Sequence, residues 1–108
     1  MRLLSVPDFA GDGAAHSLAQ ILTLQGVALP VPPLARAIMI HEASPGTTNS
    51  RVGDATVAAT RGLLFLTNDT VTLPQLGSSL YSDSPMWSLT EVYVFAATGD
   101  TLAITLLL

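Results

Sequence analysis

The sequence predicts an all-β domain, a compact β-sandwich or jelly-roll-like barrel with a C-terminal β-hairpin. Three observations carry this expectation. Short runs of apolar and β-branched residues recur at close spacing along the chain. Glycine, proline, asparagine and aspartate punctuate them as turn formers. The last of these runs alternate between two kinds of side chain, as a sheet with one buried face requires. Many short strands at such spacing build sandwiches and barrels. At 108 residues the chain reads as a single domain, 1–108, long enough to bury about two-thirds of the surface its unfolded form exposes.

The first 34 residues are the least regular. The opening to Phe9 is apolar and then turn-rich, and reads as an N-terminal arm reaching a neighbour. Asp8, Asp12 and Gly13 have the chemistry of turns. Leu18, Ile21, Leu22 and Gln25 fit one helix face, yet the Gly26 that follows, with Pro30, Pro32 and Pro33, favours a strand and a stiff Pro-rich connector. Residues 35–43 alternate loosely and stop at Ser44-Pro45-Gly46. Arg51-Val52 runs into a Gly53-Asp54 turn, across which Arg51 is placed to pair with Asp54; an extended run resumes over residues 56–60. Residues 63–67 and 70–73 read as strands on either side of an Asn68-Asp69 turn. Residues 75–88 form a long connection.

Residues 89–97 and 101–108 are expected to form the hairpin, joined by Thr98-Gly99-Asp100. One of its faces reads Val92, Val94, Ala96, Leu102, Ile104 and Leu106, and belongs to the core. The other carries Glu91, Tyr93, Phe95, Ala97, Thr101, Ala103, Thr105 and Leu107. A water-facing sheet surface normally carries more charge than that. Either the hairpin is sandwiched within the domain or a neighbouring subunit covers this face.

Charge bounds the function. Asp, Glu, Lys and Arg make up 11% of residues, against roughly a quarter in an ordinary soluble domain, and lysine is absent. Hydrophobic residues reach 49% and mean hydropathy is +0.52. A free monomer usually needs a mixed, charged surface, so much of this one is expected to meet other protein. With a net charge of −4 and four scattered arginines, the chain is no candidate for direct nucleic-acid binding. No stretch reads as a signal peptide core or as a membrane span.

Chemistry-bearing constellations are sparse. With no cysteine, disulfides, thiolate metal sites and cysteine nucleophiles are excluded. His41 and Glu42 are neighbours in a strand and therefore point to opposite faces. His16 and His41 would need a distant carboxylate to hold a metal, and no ligand spacing favours it. Ser44 lies in no Gly-x-Ser-x-Gly elbow. No catalytic residue, cofactor or metal is expected, and the protein reads as a non-enzyme.

Two stretches carry a resemblance. Asn49-Ser50-Arg51-Val52-Gly53-Asp54-Ala55-Thr56-Val57-Ala58-Ala59-Thr60-Arg61-Gly62 resembles a stretch of small virion proteins of tailed bacteriophages. So does the ending Leu89-Thr90-Glu91-Val92-Tyr93-Val94-Phe95-Ala96-Ala97-Thr98-Gly99-Asp100-Thr101-Leu102-Ala103-Ile104-Thr105. The resemblance covers about the last two-thirds of the chain and rests on structural motifs. It implies a capsid decoration, or cement, protein bound to the capsid exterior of the virion. Its partners would be the major capsid protein and itself, as a dimer or trimer. Tyr93, Phe95 and Leu107 are the leading interface candidates, followed by Trp87 and Met86. Gly53, Asp54, Gly99 and Asp100 are expected to be structural turns. Two other classes compete: a receptor-binding or fibre-associated β module recognising a host polymer with Trp87, Tyr81 and Tyr93 along a groove, and a small cupin-like metalloenzyme in which His16 and His41 converge.

Overall fold

Eight of the described strands divide equally between two four-stranded sheets. The computed structural model describes residues 2–43, 50–66, 68–74 and 86–108. Strands β1 (Leu3–Ala10), β4 (Ala37–Glu42), β7 (Thr70–Leu73) and β10 (Thr101–Leu107) form one sheet, in the order β1-β10-β4-β7. Strands β2 (Ala15–Ser17), β5 (Ser50–Gly53), β6 (Leu63–Phe65) and β9 (Tyr93–Phe95) form the other, in the order β2-β9-β5-β6. A short ribbon pairs β3 (Leu34–Ala35) with β8 (Trp87–Ser88), and every pairing is antiparallel. The partners nest: β1 with β10, β2 with β9, β4 with β7, β5 with β6. Closed by the β10–β4 and β9–β5 ladders, this is the strand order of a jelly roll.

Alternation decides which side chains enter the core. Leu102, Ile104 and Leu106 of β10 are buried, as are Ile38 and Ile40 of β4 and Val6 and Phe9 of β1. Val94, Val52 and Phe65 meet them from the second sheet. The core face expected of residues 92–106 is the buried one throughout.

The hairpin is not formed, and the expectation of one is corrected. Strand β9 lies between β2 and β5, while β10 lies between β1 and β4, so the two consecutive strands belong to opposite sheets. Residues 96–100 carry the chain across. Asp100 N–H donates to the Ala97 carbonyl at 3.0 Å, and Gly99 takes a φ of +97°, which an L side chain adopts only under strain. A hairpin and a sheet-to-sheet corner bury the same alternate residues, so alternation cannot tell them apart. Strand β9 is also shorter than expected, because residues 89–92 turn: Glu91 and Val92 N–H both donate to the Ser88 carbonyl.

The N-terminal region differs from expectation in two ways. Residues 3–10 are no arm; they form an edge strand whose Val6 and Phe9 lie in the core. Its free edge is blunted by a bulge between Val6 and Phe9 that contains Pro7. Gln25 Nε2 covers that bulge by donating to the carbonyls of Pro7 (3.1 Å) and Asp8 (2.6 Å). Residues 18–24 are helix α1 (Leu18–Leu24), not a strand. Ser17 and Gln20 form a reciprocal capping box, with Ser17 Oγ accepting from Gln20 N–H and Gln20 Oε1 from Ser17 N–H. Leu18, Ala19, Ile21 and Leu22 bury one stripe of the helix.

Elsewhere, residues 37–42, 50–53, 63–65 and 70–73 are strands as expected. Residues 56–60 are not an extended run; Ala58 bridges Arg61 in a tight loop. Arg51 Nη1 donates to the Gly62 carbonyl (2.9 Å) where a pairing with Asp54 was expected. Asp12 and Asn68 do form turns: Asp12 Oδ1 accepts from Ala14 N–H, and Asn68 takes a φ of +69°. The expected 75–88 connection lies outside the described residues up to residue 85, and so does the Ser44-Pro45-Gly46 stop.

The loop after β1 is pressed against the 96–100 corner. Gly11 N–H donates to the Asp100 carbonyl and Gly13 N–H to the Ala96 carbonyl. A Cβ on Gly11 would stand 2.2 Å from the Ala97 carbonyl oxygen and 2.8 Å from Ala96 Cβ, so backbone would have to move. Gly11→Ala is therefore expected to cost about 2–3 kcal/mol, the scale of overpacking in a closed site. Urea denaturation, with an unchanged slope and a lower midpoint, is the measurement.

Candidate functional site

The outer face of the β1-β10-β4-β7 sheet carries almost no charge. Its positions follow from the register: Leu3 and Ser5 stand beside Leu107 and Thr105, which in turn stand beside Ala37 and Met39. Ala103 lies beside His41, and Thr70 and Thr72 complete the face along β7. None of these is Asp, Glu, Lys or Arg. Leu3 is 64% exposed and Met39 40%, with Leu107 half-buried between them. His41 Nδ1 lies 2.9 Å from Thr70 Oγ1, and the exposed Asp8 stands at the β1 bulge between the buried Val6 and Phe9.

The five interface candidates do not share a surface. Leu107 belongs to this face, whereas Tyr93 and Phe95 lie half-buried on the outer face of the second sheet. The missing hairpin is the reason: the corner at residues 96–100 sends the two strands to opposite sides of the sandwich. Phe95 stands beside Ala15 and Arg51, and Tyr93 beside Gly53. Trp87 and Met86 lie at the flank, half-buried. Trp87 Nε1 donates to the Pro74 carbonyl at 2.9 Å, which fixes the ring. Tyr81 lies outside the described residues.

Of the four expected turn residues, two act as such: Asp54 Oδ1 accepts from Thr56 N–H, and Gly99 supplies the positive φ. Gly53 is instead the last residue of strand β5, paired with Tyr93. Asp100 does something else. It is 1% exposed and faces Glu42 and Ser50, both fully buried. Ser50 Oγ donates to Glu42 Oε2 and lies 3.2 Å from Asp100 Oδ2. One hydroxyl hydrogen cannot serve two carboxylates at once. Glu42 Oε1 has no hydrogen-bond partner among the described residues. Burial, and next to it the charge of Asp100, push the Glu42 carboxyl above the ordinary glutamate range, against the opposing pull of the Ser50 hydrogen bond.

The two histidines are far apart in role. His16 Nε2 pairs with Asp12 Oδ2 at 2.7 Å and its ring packs edge-on against Phe9, while His41 sits on the opposite sheet's outer face. The Asp12 carboxyl is held below its usual range chiefly by that hydrogen bond. The convergence a cupin-like site needs is not there. Among the described residues no three His, Asp or Glu side chains gather to hold a metal.

Sequence reasoning missed the most exposed apolar cluster, Leu63, Leu64 and Leu66 at and beyond edge strand β6. It also missed Met39 and Leu3. The alternation of β4 carried the signal for Met39, since Ile38 and Ile40 flank it on the buried side. No protein-family model, curated protein or solved structure matches this chain.

The raised Glu42 carboxyl sets a pH dependence. A carboxyl that holds its proton more tightly when folded stabilises the fold fully below its unfolded value and loses that contribution as pH rises through the folded one. The wild type is therefore expected to lose stability from about pH 4, the unfolded glutamate range, toward neutrality. Glu42→Gln keeps the shape without the charge, and should be more stable than wild type at pH 7 by about 1 kcal/mol or more. Urea midpoints at pH 4 and pH 7 test this: the difference between the two proteins should shrink at the lower pH.

Proposed function

We propose that this chain is a structural virion protein, a decoration or cement module on the capsid exterior that binds the major capsid protein and associates with itself. The observation that carries the reading is the charge-poor outer face of the β1-β10-β4-β7 sheet, centred on Leu3, Met39 and Leu107. Threonines and small residues surround these three, among them Ser5, Ala37, Thr72, Ala103 and Thr105. Water-exposed sheet faces are normally more charged, and patches of this composition mark interfaces.

The separation of Tyr93 and Phe95 from Leu107 supports the same reading. A cement protein has two tasks, holding its own copies together and gripping the shell. Two apolar faces on opposite sides of a sandwich suit them, one face for each. Gripping would be additive: a dimer or trimer touching several capsid subunits gains effective concentration with every further contact, so weak individual contacts suffice. The resemblance of residues 49–62 and 89–105 to small phage virion proteins is consistent with this assignment.

Light scattering on the purified chain across a concentration series tests the self-association half. A dimer or trimer is expected at micromolar concentration. Met39→Glu, at an exposed position, is expected to leave the melting temperature unchanged and weaken association at least about tenfold, since it buries an unpaired charge in the contact. A wild type that stays monomeric at every concentration overturns the sheet face as a self-contact.

A further inference from the structure

The flank of the sandwich below β9 holds two neighbouring hollows with a common wall. The larger, of about 530 Å³, has apolar sides that include Leu63, Leu73, Met86 and Trp87. Asp54 and Glu91 stand exposed at its rim. The second, of about 490 Å³, is lined by the same Asp54 and Glu91 together with Thr90 and Tyr93. The shared carboxylates make one extended groove, with an aromatic ring on either side of an acidic pair.

The chemistry of the groove is one-sided. Among the described residues no arginine or histidine lines either hollow, so these offer hydrogen-bond acceptors and no cation. Asp54 is held in place by Thr56, whose hydroxyl and N–H both donate to Oδ1. Those hydrogen bonds keep the Asp54 carboxyl below its ordinary range, so it is an acceptor at neutral pH. The Trp87 N–H is spent on the Pro74 carbonyl, which leaves the indole to act through its apolar faces. An occupant must therefore bring hydroxyl donors, a flat apolar side and enough length to follow two hollows, and it must not be anionic. Each hollow alone falls within the usual 300–1,000 Å³ of small-molecule sites.

We propose that this groove binds a neutral oligosaccharide, one sugar ring lying on Trp87, a following one on Tyr93, and their hydroxyls donating to Asp54 and Glu91. A sugar has an apolar C–H side and a rim of O–H donors, which matches a platform of this kind beside carboxylates. A lysine or arginine side chain would satisfy the carboxylates but fill one hollow only, and an exposed ion pair contributes little. Nucleic acid and acidic polymers are repelled by the carboxylates and by the net charge of −4. The inference goes beyond the cement reading and does not rest on self-association, since the sheet face and the groove share no residue.

Trp87 is the sole tryptophan, so its fluorescence reports on this groove alone. The full chain is titrated at neutral pH with maltohexaose, cellohexaose and chitohexaose, and with hexalysine. A saturable change in emission with at least one hexasaccharide is expected. Glu91→Ala, at an exposed position, should weaken it at least about tenfold, the scale of one hydrogen bond to a charged group. Met39→Glu should leave it unchanged, which separates the groove from the sheet face. Emission that no hexasaccharide moves overturns the proposal. So does a saccharide response that Glu91→Ala does not weaken. A response to hexalysine alone overturns it in favour of a basic protein segment.

Discussion

The fold depends on the crossing at residues 96–100, where the chain leaves one sheet and enters the other. Gly99 turns it, and Gly11 and Gly13 lock it from the opposite end of the chain by donating to the Asp100 and Ala96 carbonyls. Because of that crossing, β9 and β10 each become the inner strand of a different sheet, with a partner on both edges. The N-terminal strand then has a ladder to join, and β4 and β5 are held apart on the two sides of the core. Without it the last two strands would pair with each other and leave β1, β2, β4 and β5 without their inner neighbours.

The same crossing delivers Asp100 into the interior beside Glu42 and Ser50. Two carboxyls around one hydroxyl are costly to bury when both are ionised, and a buried, unpaired polar atom loses its hydration without return. The corner of the fold is thus tied to pH through Glu42, whose carboxyl is pushed above its ordinary range by burial. Glu42 and Asp100 lie 58 positions apart in the chain and meet only because β4 and β10 are adjacent strands.

On the surface, the crossing separates what a hairpin would have joined. The aliphatic and threonine face of one sheet and the aromatic face of the other look in opposite directions. Between them, at the flank, lies the groove with Trp87, Tyr93 and two carboxylates. Tyr93 belongs both to that aromatic face and to the groove. The proposals for the sheet face and for the groove assign two of those surfaces to separate ligands and can fail separately.

Much of the fold was legible because period-two alternation is a local property. The inward set of Val92, Val94, Ala96, Leu102, Ile104 and Leu106 and the β7 segment over residues 70–73 could be read from neighbours in sequence, as could the turn at Gly99. The helix over residues 18–24 was also written locally, in the Ser17-x-x-Gln20 box, but the glycine and prolines after it pointed the other way. Strand order was not legible, and neither were the acidic pair Asp54 and Glu91 beside the groove's Trp87 and Tyr93 or the Glu42–Ser50–Asp100 cluster. Each depends on residues far apart in the chain, and alternation says which side of a strand meets the core, not which strand lies beside it. The amino-acid sequence therefore determined the β class and the buried faces. Only tertiary structure decided the jelly-roll order and, with it, which exposed residues share a surface, because pairing is set by the closure of both sheets around one core.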